Sequence, residues 1–211
     1  MITPIQIEKL GEDVSSVLTE KRMNHVLAVE KMSFRLGLLY FFGDDESLML
    51  LRVAALLHDV TKEISDGEQL DILKNHNIEP LPEELASMPT IHALTAAVVI
   101  PERFPAFADE RVINAVRYHT TGREGMSIFE KIIFLADFID ETRTYPNCIA
   151  LRNDFFAANP EYMDYEERVR HLDRAALRSI EDTLAHLRGK GRAIHPLTLS
   201  ARADLKARLE R

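Results

Sequence analysis

The sequence predicts an all-α fold in a single domain covering residues 1–211. Three observations carry this. Apolar residues recur at spacings of three and four through most of the chain, no segment sustains the alternation of a strand, and helix-capping pairs stand ahead of several apolar runs. Thr3 before Pro4 makes an N-cap and first-turn pair for a helix reaching about residue 18. Ser65 with Glu68, and Ser127 with Glu130, fit the capping box. Each such cap is worth about 1 kcal/mol.

Further helices are expected at about 22–40, 45–61, 66–76, 91–103, 109–119, 128–144, 165–189 and 199–209. The breaks between them carry turn residues: Gly43-Asp44, Pro80 with Pro82, Pro101 and Pro105, Gly122 with Gly125, Pro146, Pro160, and Gly189 with Gly191. The segment 145–165, with Pro146, Pro160 and several aromatics, is poorly covered by any motif and suits a wall of a substrate pocket.

A chain of 211 residues buries roughly 70% of its unfolded surface on folding, enough to dispense with disulfides. Cys148 is the only cysteine, so an intrachain disulfide and a thiolate metal site of the Cys-x-x-Cys kind are both excluded. The N-terminus lacks the basic and long apolar regions of a signal peptide, and the apolar stretch before His58 is broken by Arg52; a cytoplasmic protein without membrane attachment is expected. A net charge of −8 argues against binding nucleic-acid polymers, which is driven by Lys and Arg. A polyanionic small substrate would need local positive charge from a metal or from arginines. Homo-oligomerisation is left open.

His25, the pair His58-Asp59, His92, His119 and Asp137 all fall within or at the ends of expected helices. Leu56-Leu57-His58-Asp59-Val60 sets an imidazole and a carboxylate at the end of an apolar helix, where leaving them unpaired would cost a few kcal/mol. Any one of these residues alone reads as well as a hydrogen-bonded core residue; the case rests on the set. Four imidazoles and two carboxylates suit borderline divalent ions such as iron, manganese, zinc, cobalt or nickel, and are enough ligands for two of them. Asp59 has two oxygens with which to bridge a pair. Two ions roughly 3.5 to 4 Å apart would lower the pKa of a shared water and clamp phosphoryl oxygens.

The ordered motifs Arg22-x-x-His25, Ala55-Leu56-Leu57-His58-Asp59-Val60-Thr61-Lys62, His92-x-x-x-Ala96, Ala115-Val116-Arg117-Tyr118-His119-Thr120-Thr121-Gly122, Leu135-Ala136-Asp137-Phe138-Ile139 with Arg143, and Ile194-His195-Pro196-x-Thr198 resemble the HD-domain superfamily. Within it they are most similar to the bacterial symmetrical diadenosine tetraphosphatases. The resemblance implies a helical bundle with a dinuclear site, commonly containing iron. His25, His58, Asp59 and Asp137 match the basic metal motif, and His92 and His119 match its two-metal extension. The implied reaction is hydrolysis of diadenosine tetraphosphate to two ADP. Other HD hydrolases act on nucleoside mono- or triphosphates, cyclic nucleotides or alarmones with much the same ligands, and a nucleotide-sensing module without turnover is a further alternative.

Asp59 and Lys62 are the candidate catalytic residues. Lys62 is equally suited to meeting a phosphate or to a solvated helix end. Thr120, Thr121 and Gly122 follow a proposed ligand, so their N–H and hydroxyl groups could cradle phosphate, although a plain helix-ending turn accounts for them as well. Arg22, Arg123 and Arg143 are candidates to neutralise the polyphosphate, with Arg143 placed near Asp137 but on another face of the same expected helix. His195 would reach the base or phosphate, or stabilise the turn before the last helix. His76 reads as a helix C-terminus, and His171 and His186 as solvated faces. Where the similar family often carries Glu-Pro before its arginine, Asp140-Glu141-Thr142-Arg143 is expected to let the helix run on.

Overall fold

The computed structural model describes residues 2–211. They form eleven α-helices and three short 3-10 turns, with no strand among the described residues. The helices are α1 (Pro4–Ser15), α2 (Glu20–Tyr40), α3 (Asp45–Leu57), α4 (Asp66–Asn75), α5 (Pro82–Ala86), α6 (Ile91–Arg103), α7 (Glu110–Tyr118), α8 (Ile128–Ile139), α9 (Pro146–Ala157), α10 (Tyr165–Gly189) and α11 (Pro196–Leu209). The all-α expectation holds. None of these helices is long and apolar enough to cross a membrane.

The expected caps form. Thr3, Ser65 and Ser127 accept from the backbone N–H of Gln6, Glu68 and Glu130, and each of those side chains reaches back to its cap residue. Asp44 caps α3 through the N–H and hydroxyl of Ser47, and Asp109 caps α7.

Helices α2 and α3 are the most extensively paired, and α8 lies on α2. Gly37 explains the close approach: a Cβ there would stand 2.6 Å from Leu51. Val26, Val29 and Leu36 from α2 meet Leu51, Val53 and Leu57 from α3 and Ile132, Leu135 and Ile139 from α8, all fully buried. Each large side chain so enclosed contributes about 1.5–3 kcal/mol. A second cluster, Phe134 with Ile180, Leu184, Ala201 and Leu205, seats α10 and α11 on α8.

Three expectations are corrected. Helix α8 stops at Ile139 instead of running to residue 144, because Asp140 turns its backbone to ψ 162 and accepts the Thr142 N–H at 2.8 Å. Helix α6 ends at Arg103 as expected, with Pro101 in its last turn. The segment from Pro146, where no helix was expected, is helix α9. His171 is also not a solvated residue. Its Nε2 faces the carbonyl of Phe155 at 3.0 Å, and its ring lies 4.5 Å from that of Phe155.

Candidate metal centre

Five helices bring the six singled-out residues together. His25 comes from the second turn of α2, His92 from the first turn of α6 and Asp137 from the last turn of α8. His58 and His119 are the C-cap residues of α3 and α7, with Asp59 following His58. Putting ligands at helix ends turns them inward without a polar group in the middle of an apolar stripe. All four histidines and Asp59 are buried, and Asp137 is partly exposed at the rim.

The tautomers of three imidazoles follow from their neighbours. Nδ1 of His58, His92 and His119 lies 2.6, 3.0 and 2.7 Å from the carbonyls of Ala55, Pro89 and Val116, three residues upstream in each case. A carbonyl only accepts, so Nδ1 of His58 and His119 carries the proton and Nε2 presents a lone pair; His92, whose Nδ1 also meets Lys62 Nζ at 3.1 Å, takes the same tautomer when that lysine donates to Pro89 alone. These lone pairs converge. Nε2 of His92 and Nε2 of His119 stand 3.2 Å apart, and Nε2 of His58 is buried without a partner. Two acceptors face to face and a third orphaned one are unfavourable in an apolar interior unless a cation lies between them. The donor set therefore fits a metal, and backbone carbonyls hold the imidazoles by their outer nitrogens in the way metal ligands are commonly held.

Asp59 divides the cluster. Its Oδ1 lies 3.0 Å from His92 Nε2 and 3.7 Å from His119 Nε2, while Oδ2 lies 3.5 Å from His58 Nε2 and 3.8 Å from His25 Nε2. Asp137 Oδ1 lies 3.0 Å from His25 Nε2 and 4.0 Å from His58 Nε2. Several overlapping triads result, among them His25-His58-Asp59, His58-His119-Asp137 and Asp59-His92-His119, each compact enough to hold an ion.

Electrostatics separate the imidazoles. Burial pushes His58 and His92 down to about 4 despite the nearby Asp59, so both are neutral and ready to ligate. Burial also opposes charge on His25, but the carboxylates of Asp137 and Asp140 beside it outweigh burial and raise that ring to about 9 in the absence of metal. For Asp137, burial disfavours ionisation, but Arg143 with His25 beside it holds that carboxyl well below the usual carboxylate range.

Of the residues expected to meet substrate, Arg22 and Arg143 lie at the centre. Arg22 Nη1 donates to Asp59 Oδ2 at 2.8 Å. Because α8 ends early, Arg143 is carried back over the helix end, where it donates to the main-chain and side-chain oxygens of Asp137 at 2.7 and 2.5 Å. The expected position on a separate face of one helix is therefore replaced by direct contact. Lys62 donates to Pro89 O at 3.1 Å, with its Nζ also 3.1 Å from His92 Nδ1, so it stands behind a candidate ligand; burial lowers its pKa.

The others are occupied differently. Thr121 donates to the Gly122 carbonyl, and Gly122 has φ +63, where a Cβ would come within 3.1 Å of Ala201. That pair makes the helix-ending turn. Arg123 is held by Glu130 at 2.6 Å and lies over the Tyr118 ring. His195 Nδ1 accepts the Leu197 N–H as the cap of α11. Thr120 is the exception, its buried hydroxyl having no partner.

Asp140 was not singled out from sequence as a site residue. It is fully buried, with Oδ2 3.3 Å from His25 Nδ1 and 3.3 Å from Arg143 Nε. The visible signal was its place midway between Asp137 and Arg143.

Comparison with known proteins agrees with this geometry. A model of the HD domain matches residues 22–142. A protein of Halalkalibacterium halodurans named symmetrical bis(5'-nucleosyl)-tetraphosphatase is 31% identical over 183 residues, 87% of this chain and 88% of its own. Proteins of the same name from Staphylococcus aureus and Bacillus subtilis are 32% identical over 71% of this chain and 74% of theirs, and 29% identical over 88% and 89%. The crystal structure of an HD superfamily hydrolase from Clostridium acetobutylicum, described as involved in NAD metabolism, superposes with a TM-score of 0.79 at 30% identity, covering 95% of this chain and 97% of that one.

Proposed function

This chain belongs to the HD domain family, and we propose that it is a dinuclear metal hydrolase that cleaves diadenosine tetraphosphate symmetrically into two ADP. The observation that carries the metal-dependent part is the convergence of three Nε2 lone pairs on Asp59, with His92 and His119 only 3.2 Å apart. The substrate is supported by relatives from three bacteria that carry that enzyme's name.

In this reading His25, His58 and Asp137 would hold one ion and His92 and His119 the other, with Asp59 shared between the two groups. Iron is the expected metal, with manganese, cobalt, nickel and zinc served by the same donors. Such ions supply positive charge to phosphoryl oxygens and lower the pKa of water bound between them. The protein's own part is electrostatic and positional. Burial keeps His58 and His92 neutral, and the carbonyls behind them fix which nitrogen faces inward. Arg22 and Arg143 flank the centre, one beside Asp59 and one beside Asp137, and present guanidinium forks to a polyphosphate laid across it. Lys62 adds a third positive charge near His92. A water oxygen adds to one of the two inner phosphorus atoms, the central P–O–P bridge breaks, and each half leaves as ADP.

The test is Asp59→Ala. Loss of at least about a thousandfold in turnover and of bound metal, with the helical spectrum and melting cooperativity retained, is expected. Full activity in that variant would refute the reading. Binding of the dinucleotide by wild type with no product formed would favour a sensing module.

A further inference from the structure

The buried side-chain atoms without a hydrogen-bond partner are concentrated around the centre. His25 Nε2 and His58 Nε2 point into it, and Asp140 Oδ2 stands behind His25. Three more line two cavities beside it, Asp182 Oδ2 in one and Ser87 Oγ with Thr120 Oγ1 in the other. Ser33, inside α2, lines neither of the two cavities. Buried polar groups are normally satisfied, so an unpaired atom in a cavity wall takes a water or a ligand group as its partner.

The first cavity, about 270 Å³, opens at Asp137 and Arg143 and runs past Tyr145 to Asp182 and Thr183. The second, about 400 Å³, begins at Pro89 and Thr120, beside candidate ligands His92 and His119, and extends to His195 and Arg192. Thr183 on α10 lines both, so they lie on the two sides of one side chain. Their sizes are near the lower end of small-molecule sites, which begin at roughly 300 Å³.

We propose that these cavities seat the two nucleosides of a dinucleoside polyphosphate, one on each side of the centre. The inference rests on the hydrolase reading above. A dinucleoside polyphosphate held across the metal cluster carries a nucleoside at each end, and one cavity adjoins the Asp137 side while the other, across Thr183, adjoins the His92 and His119 side. The groups facing them match a nucleoside. Asp182 as a carboxylate only accepts, which selects a donor such as an exocyclic amine or a ribose hydroxyl; the Ser87 and Thr120 hydroxyls both donate and accept. Tyr145 is 66% exposed at the mouth of the first cavity and offers a ring for a base to stack on. Arg143 and Arg192 contribute one positive charge to each.

Asn147 lines the first cavity and Ala193 the second, and both are exposed, so a tryptophan at either fills space without disturbing the core. The metal-loaded protein is dialysed against ADP at equilibrium. Wild type is expected to bind two ADP per chain, and Asn147→Trp and Ala193→Trp one each, with unchanged melting temperatures. Each substitution is also expected to raise KM for diadenosine tetraphosphate by at least about tenfold. Asp182→Ala provides a second variant in the first cavity, with weakened ADP binding at one of the two sites. A single ADP site in wild type, or two sites untouched by either tryptophan, would overturn the inference even if the dinucleotide is cleaved. Two ADP sites, each removed by its own tryptophan, without cleavage would instead sink the hydrolase reading and leave the two nucleoside seats standing.

Discussion

The carboxylate of Asp140 lies 3.3 Å from Nδ1 of His25, while Asp137 lies 3.0 Å from Nε2 of the same ring. His25 is thus held from behind by one carboxylate and faces the centre beside another. The other three imidazoles have a backbone carbonyl in the rear position. His25 is the imidazole whose outer nitrogen meets a carboxylate, which a substitution can neutralise without touching the backbone.

Asp140→Asn is expected to keep the acceptor for the Thr142 N–H and so preserve the turn, but to set an amide against His25 Nδ1. Metal affinity at the His25 side should fall about 10- to 100-fold, with melting of the metal-free protein changed much less. Chelator competition measures the first and calorimetry the second. Unchanged metal affinity would assign Asp140 to the turn alone.

Chelation should destabilise the protein. An ion held at a hundredfold over its dissociation constant contributes about 3 kcal/mol, which for a chain of this size corresponds to roughly 5–10 °C in melting temperature. Scanning calorimetry before and after chelator treatment, then with metal restored, checks this. A melting temperature indifferent to both steps would speak against a native metal.

Lys131 and Asp173 form an ion pair inside the structure, between α8 and α10, both nearly fully buried. Removing one partner strands the other charge, so Lys131→Met should cost about 3–5 kcal/mol. Lys131→Met with Asp173→Leu should recover most of that loss. Denaturant unfolding of the single and double variants decides it; an additive double variant would show that the pair is not coupled.

The acid limb of stability should involve the helix caps. The Ser47 N–H and hydroxyl hold Asp44 below its usual range, and the Arg111 guanidinium does the same for Asp109. A carboxylate depressed in the folded state contributes stability that is fully present above its unfolded value near 4 and is lost as pH falls through the folded value. Asp44→Asn with Asp109→Asn retains the caps but removes their proton linkage. The double variant is expected to lose less stability than wild type between pH 5 and 3, as read by thermal melts of metal-free protein.

The six clustered residues were legible because each stands in a short motif at a helix end or on a buried face, so local pattern and tertiary position coincide. Helix α9 was not: its apolar residues make no single stripe, and only Leu151 and Phe155 beside Cys148 are buried. The end of α8 was hidden because Ile139-Asp140-Glu141-Thr142 holds neither Gly nor Pro. The helix is stopped by the Asp140 side chain binding the Thr142 N–H and by Arg152 donating to the carbonyls of Ile139 and Asp140. Thr121, Gly122, Arg123 and His195 belong to motifs that mark the neighbourhood, while their side chains and turns serve packing and caps. The two cavities arise from α9, α10 and the segment before α11 closing over the centre, an arrangement that no local pattern encodes.

The most direct test is chromatographic analysis of diadenosine tetraphosphate incubated with metal-loaded protein. The account predicts ADP as the sole nucleotide product, lost on chelation and restored by metal. Equal amounts of AMP and ATP, or no cleavage while another nucleotide is hydrolysed, would contradict it.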